Sequence, residues 1–168
     1  MNRIAESAEV SKRTLYNHFE SKEALYDAII QTLLESSDEI PFVEFDPEQD
    51  LAAQLADLAR TEIDFMGSDS VQTLARAGLS RVLAEPEIAR QIDHKRFLNH
   101  VQRWIKQAKA AGRLSKVNDV EFASLQFAGL LKEFAFWPAI VKGAPPITKQ
   151  RRKKIVNETV EMFLARYQ

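Results

Sequence analysis

Apolar residues recur at three- and four-residue intervals along almost the whole chain, and no stretch alternates polar and apolar positions between turn signals. The pattern predicts an all-α protein, with helices near 3–8, 12–19, 22–39, 48–66, 69–83, 87–111, 119–141 and 149–167. The residues between these segments suit helix ends. Ser11 and Ser21 are expected N-caps, their hydroxyls accepting otherwise unpaired N–H groups of the first turn. Asp46 followed by Pro47 reads as an N-cap with proline at the first helical position. Gly67 and Gly112 suit the left-handed residue just past a helix end, and Asn118 with Glu121 resembles a capping box.

Two of these helices differ in how much of their surface is apolar. The segment 119–141 carries Val120, Phe122, Leu125, Phe127, Leu130 and Leu131, then Phe134, Phe136, Trp137 and Ile140. A helix apolar all round must be covered all round. The last helix instead has one stripe, formed by Ile155, Val156, Thr159, Val160, Phe163, Leu164 and Tyr167. Lys154, Asn157, Glu158, Glu161 and Arg166 lie away from that stripe. The basic run KQRRKK that opens this helix reads as a solvated face. Pro138 is expected to kink its helix and open space beside it.

The first residues carry the most specific pattern. IAESAEVSKRTLYNHFESKEALYDAI reads as a short helix, a tight turn, a second short helix and the start of a long amphipathic one, a helix-turn-helix followed by a connecting rod. In such a motif the second helix enters the major groove, where each base pair presents its own donor and acceptor pattern. Ser11, Lys12, Arg13 and Thr14 stand at the leading end of that helix. Arg13 has the fork for bidentate contact with guanine, and Thr14 offers a hydroxyl and a methyl to base edges. Leu15 and Phe19 share an inward face with Ile4, Ala8 and Val10.

Ile4-Ala5 with Ala8, then Val10-Ser11, Thr14-Leu15-Tyr16, His18-Phe19, and Lys22 with Ala24-Leu25 resemble the DNA-binding domain of the tetracycline-repressor (TetR) family of bacterial regulators. The segments LARAGLSRVLAEPEIA and FAGLLKEFAFWP resemble an effector domain of the AefR-like type. Two departures stand out. Glu9 occupies a turn position usually taken by glycine, and the family has a further helix ahead of the pair with which this sequence begins. The expectation is that Met1 is an internal residue of a longer protein, a truncated form and a fragment being the alternatives. The resemblance implies a truncated helix-turn-helix head with its connecting helix over 1–40 and a helical effector-binding and dimerisation domain over 41–168, with the boundary near 37–46. Tyr16, His18 and Lys22 match family positions that touch the phosphate backbone. The resemblance further implies a homodimer that reads palindromic double-stranded DNA, joined by the last two helices of each subunit with the Ile155–Tyr167 stripe at the interface.

An effector is expected among the central helices. Phe65, Met66, Phe97, Trp104, Phe127, Phe134 and Trp137 are the candidate lining, with Asn99, His100, Gln126 or Lys132 as polar anchors, which suits a small hydrophobic compound. Composition narrows the rest. With 45% hydrophobic residues the chain can bury a core, and with no Cys it has no disulfide framework or thiolate metal site. His94 and His100 lie six apart, on different faces of a helix, so no metal and no cofactor is expected. No nucleophile signature or phosphate-cradling glycine loop is present, which argues against an enzyme. No apolar run reaches bilayer length and no signal-peptide pattern opens the chain, so a cytoplasmic protein without membrane contact is expected. The net charge of −1 leaves any basic surface local. The reading is a DNA-binding regulator, a repressor relieved by its effector. The alternative is a helical dimerisation protein that cannot bind DNA because its head is incomplete.

Overall fold

The computed structural model describes residues 1–168 and contains helices, turns and loops with no strand. The head comprises α1 (Asn2–Ser7), α2 (Lys12–His18) and the start of α3 (Lys22–Asp38). The Ser11 and Ser21 hydroxyls cap α2 and α3, each accepting a backbone N–H at 3.0 Å from Thr14 and Ala24. The turn between α1 and α2 is closed by the Val10 N–H donating to the Ala5 carbonyl, and it holds Glu9 at φ 54°. That is the left-handed region, where a Cβ crowds the following carbonyl.

The body is built from α4 (Leu51–Gly67), α5 (Asp69–Ala84), α6 (Pro86–Ala89), a 3-10 turn (His94–Leu98), α7 (Asn99–Ala110), α8 (Val120–Ala135), α9 (Trp137–Lys142) and α10 (Lys149–Tyr167). Its core lies where α4, α7, α8 and α10 meet. Leu55, Trp104, Ile105, Phe127 and Leu131 are fully enclosed there, and each large apolar side chain so buried contributes about 1.5–3 kcal/mol. Trp104 meets Phe45 edge-on and Phe127 meets Phe163 likewise, the arrangement that ring quadrupoles favour. The rod α3 packs on α5 through Ile30 and Leu34, and its far end is tied to the 3-10 turn by the Asp38–Arg96 ion pair.

Several expected boundaries shift. Asp46 does not cap a helix: its carboxylate accepts the Glu48 N–H in a turn, and the cap of α4 is Asp50, which accepts the Ala53 N–H at 2.7 Å. Gly67 stays helical, and Ser68 ends α4 and caps α5. Gly112 does adopt the left-handed conformation, at φ 72°. The cap of α8 is Asp119 and not Asn118. The single helix expected over 87–111 is three pieces, because Asp93 accepts the Lys95 N–H and restarts the chain as a 3-10 turn. The helix expected over 119–141 breaks at Phe136, ahead of Pro138, whose missing N–H is harmless in the first turn of α9.

The stripe on α10 is also placed differently from expectation. Ile155, Val156, Thr159, Val160, Phe163 and Tyr167 are buried against the chain's own core, and Leu164 packs at its edge. They are therefore not a free surface for a second subunit. A stripe needs apolar cover, and α4 and α8 of the same chain supply it.

Candidate nucleic-acid interface and apolar cavity

All seven head residues singled out by sequence are exposed: Ser11, Lys12, Arg13, Thr14, Tyr16, His18 and Lys22. On α2 only Leu15 turns inward, so the rest of that helix is free to face a partner. Ser11 and Thr14 are tied together, their hydroxyl oxygens 2.8 Å apart, which fixes both at the helix start. The Lys12 ammonium stands 5.8 Å from the Tyr16 ring centroid and the Lys22 ammonium 5.5 Å from that of Tyr26, so aromatic faces steer both cations. From Ser11 to Lys22 the cations Lys12, Arg13 and Lys22 face a single carboxylate, Glu20, and Glu23 follows in the first turn of α3. This is a small basic surface on a chain of nearly zero net charge.

The body holds an apolar cavity of about 210 Å³. Phe65, Met66, Phe97 and Trp137 line it, as does Lys132 among the expected anchors. The other aromatics expected there lie elsewhere. Trp104 and Phe127 are sealed in the core, and Phe134 is half exposed beside Pro138 in a separate surface cleft. Asn99 is exposed in a groove beside Asp38 and Arg103, and the Gln126 amide oxygen accepts the Tyr167 hydroxyl, so neither faces the cavity.

Three groups of lining residues have no counterpart in the expected set. From α3 come Ile30 and Leu33, so the rod that carries the head forms part of the wall. From α5 come Val71, Ala75, Gly78 and Leu79. The third is Glu62 of α4, a carboxyl only 2% exposed. Glu62 sits at helical spacing with Leu55, Leu58, Ala59 and Met66, an acid on an otherwise apolar face, and that spacing is the sequence signal for it.

Burial pushes the Glu62 carboxyl up to about 8 against the partial opposition of Lys132, and pushes the His100 imidazole down to about 4. Burial likewise holds the Lys132 ammonium below the usual lysine range, with Glu62 opposing. Glu62 Oε1 touches Nε2 of His100, yet the contact is out of line for a hydrogen bond and neither atom has another partner. We read the pair as neutral, a protonated carboxyl beside a neutral imidazole, because desolvation disfavours both charged forms.

Comparison with known proteins accords with this architecture. Residues 1–29 match the family of bacterial regulatory proteins of the tetR type, and residues 53–168 match the C-terminal domain of AefR-like transcriptional repressors. The crystal structure of a TetR family transcriptional regulator from Pseudomonas syringae pv. tomato str. DC3000 superposes with a TM-score of 0.83 at 37% identity, over 99% of this chain and 84% of that one. A TetR-family structure from Mesorhizobium loti MAFF303099 superposes with a TM-score of 0.70 at 22% identity, over 98% and 84% of the two chains, a likeness of fold alone. No curated protein matches. With both its helix-turn-helix and its helical body matched, the chain belongs to the TetR family of transcriptional regulators.

Proposed function

We propose that this regulator is a cytoplasmic repressor, homodimeric on a palindromic operator, and that a small compound in the cavity relieves its DNA binding. One observation carries the reading: α3 is shared. Its first turn bears Lys22, while Ile30 and Leu33 two turns further on line the cavity. A ligand that spreads the cavity wall tilts the rod, and the rod carries the reading head. In a dimer such a tilt changes the spacing of two heads set about one helical turn of DNA apart, so both half-sites are lost together.

Ser11 to Thr14 supply base readout in this scheme, and Tyr16, His18 and Lys22 hold phosphates. The dimer forms through the outward faces of α8 and α10, where Phe122, Leu125 and Met162 are exposed. The test is a fluorescence-anisotropy titration on DNA from the gene's own upstream region at two salt concentrations. Binding should weaken steeply with salt, because phosphate contacts release counterions. Lys22→Ala should weaken binding to every sequence and lower the salt slope by about 1, whereas Arg13→Ala should relax base preference. Binding that ignores salt would sink the reading.

A further inference from the structure

The polar side chains among the cavity's lining are Glu62, Lys132 and the exposed His94. Glu62 is its only carboxyl and Lys132 of α8 its only ammonium, and Lys132 forms no ion pair. Glu62 is almost wholly enclosed, and apart from the contact of Oε1 with His100 its carboxyl has no hydrogen-bond partner in the protein. A buried polar group left without a partner is costly, and here it lines a space large enough for a compact ligand. The other elements facing Glu62 add little charge. His100 of α7 is neutral, His94 of the 3-10 turn is exposed, α3 and α5 contribute apolar side chains, and Arg152 of α10 is engaged with Asp64.

The charge of the ligand's head group follows from these neighbours. A cation would need Glu62 ionised and would still meet the Lys132 ammonium. A neutral alcohol would leave that ammonium without a counter-ion. An anion meets the ammonium directly, and a protonated Glu62 beside it becomes a donor to the anion. With Oε1 lying against the His100 ring, the Glu62 proton offered to the anion is placed on the other oxygen.

We propose that the cavity takes a compact apolar organic acid, its carboxylate held by the Lys132 ammonium and by a hydrogen bond from the Glu62 carboxyl. This rests on the reading of the cavity as the effector site. Where Glu62 is ionised beforehand, the carboxylate enters together with one proton taken from solvent, which goes to Glu62. The carboxyl of Glu62 is held protonated to about pH 8, so that uptake begins only above neutrality.

Calorimetric titration of the full chain with octanoate, octanol and octylammonium separates the possibilities, because the three share an apolar body and differ in the head. Octanoate should bind roughly tenfold or more tighter than octanol, and octylammonium weakest. Lys132→Met should remove the preference for octanoate while octanol binding persists. Octanoate affinity should fall by about tenfold per pH unit above the Glu62 titration, and Glu62→Gln should flatten that part of the profile while retaining an N–H donor for the carboxylate. Octylammonium binding tightest, or octanoate and octanol binding equally, would overturn the organic-acid assignment and leave the cavity reading intact. Binding of none of the three would overturn both.

Discussion

The head and the body of this regulator are stabilised to very different degrees. Among residues 1–29 only Ala5 and Leu15 are buried, and Val10 and Tyr16 stand about 40% exposed. In the body, α4, α7, α8 and α10 enclose Trp104, Phe127, Ile105 and Leu131 completely. Two buried side chains cannot offset the ordering of a small three-helix domain, since backbone ordering alone costs about 1–2 kcal/mol per residue. The head therefore takes its order from α3, and α3 takes its order from α5 through Ile30 and Leu34. The proposed switch needs this asymmetry: a rigid body to sense and a light head to follow.

The largest expected effect tests whether the two regions unfold as separate units. Phe127→Ala should cost roughly 3–5 kcal/mol, read as a shift in the denaturant midpoint at constant slope. Leu15→Ala should leave that midpoint nearly unchanged while erasing hydrogen-exchange protection in α1 and α2. Equal losses from both substitutions would mean one cooperative unit, and the contrast between head and body would fail.

Next in size is a pH effect confined to the body. The folded state holds the Glu62 proton to about pH 8, whereas an unfolded glutamate releases it near 4.5, so this residue removes stability as pH rises between those values. His100 acts in the opposite sense. Its folded value is about 4 against 6.5, so stability is lost as pH falls through that interval. The two slopes cancel between about 4.5 and 6.5, and above 6.5 only the Glu62 loss remains, about 1.4 kcal/mol per unit. Stability of the body should thus be flat in mildly acidic solution and fall by roughly 2 kcal/mol on going from pH 6.5 to 8. Glu62→Gln should remove that fall and expose the His100 loss below 6.5. Exchange protection in the head should follow neither. A thermal-melt series across this range checks the first two, and hydrogen exchange at the same pH values checks the third.

Much of this architecture is legible in the sequence, and the misplaced parts share one cause. Periodicity locates α10 correctly, from Lys149 to Tyr167, and identifies its apolar stripe. It says nothing of what covers the stripe, and the cover is α4 and α8 of the same chain. Likewise the aromatic residues point to the centre of the body, but Trp104 and Phe127 fill core while Phe136, two residues past Phe134, lines the cavity. The break at Phe136 decides this, by turning Trp137 and Phe136 toward α4 and α5. Glu62 was readable as an acid on an apolar face, yet only the fold reveals that His100 and Lys132 stand near it. The head is the opposite case. Its seven exposed candidates lie within twelve residues of chain, so local helix geometry suffices to display them.

A smaller effect sharpens the contrast from the side of the head. Glu9 at φ 54° stores strain in the turn that sets α2 against α1. Glycine there should relieve about 1 kcal/mol, partly offset by its greater freedom when unfolded. Glu9→Gly should raise exchange protection in α1 and α2 and leave the body's midpoint where it is. A shift of the body's midpoint instead would tie the turn to the core.

The smallest effect falls at the junction. Gly78 lies within α5, where glycine costs about 1 kcal/mol relative to alanine, so Gly78→Ala should stabilise the helix itself. A Cβ there would meet Ile30 Cγ1 of α3 at 3.4 Å, close contact without overlap, so the net gain should be roughly 0.5 kcal/mol. Gly78 and Ile30 both line the cavity, so the added methyl also takes space from any ligand and removes slack between rod and body. Octanoate affinity should therefore drop although the protein melts slightly higher, and operator binding without ligand should persist. If the variant loses operator binding as well, α3 has been displaced and not merely braced. The rod would then be more sensitive to the α5 surface than the head's light packing alone requires.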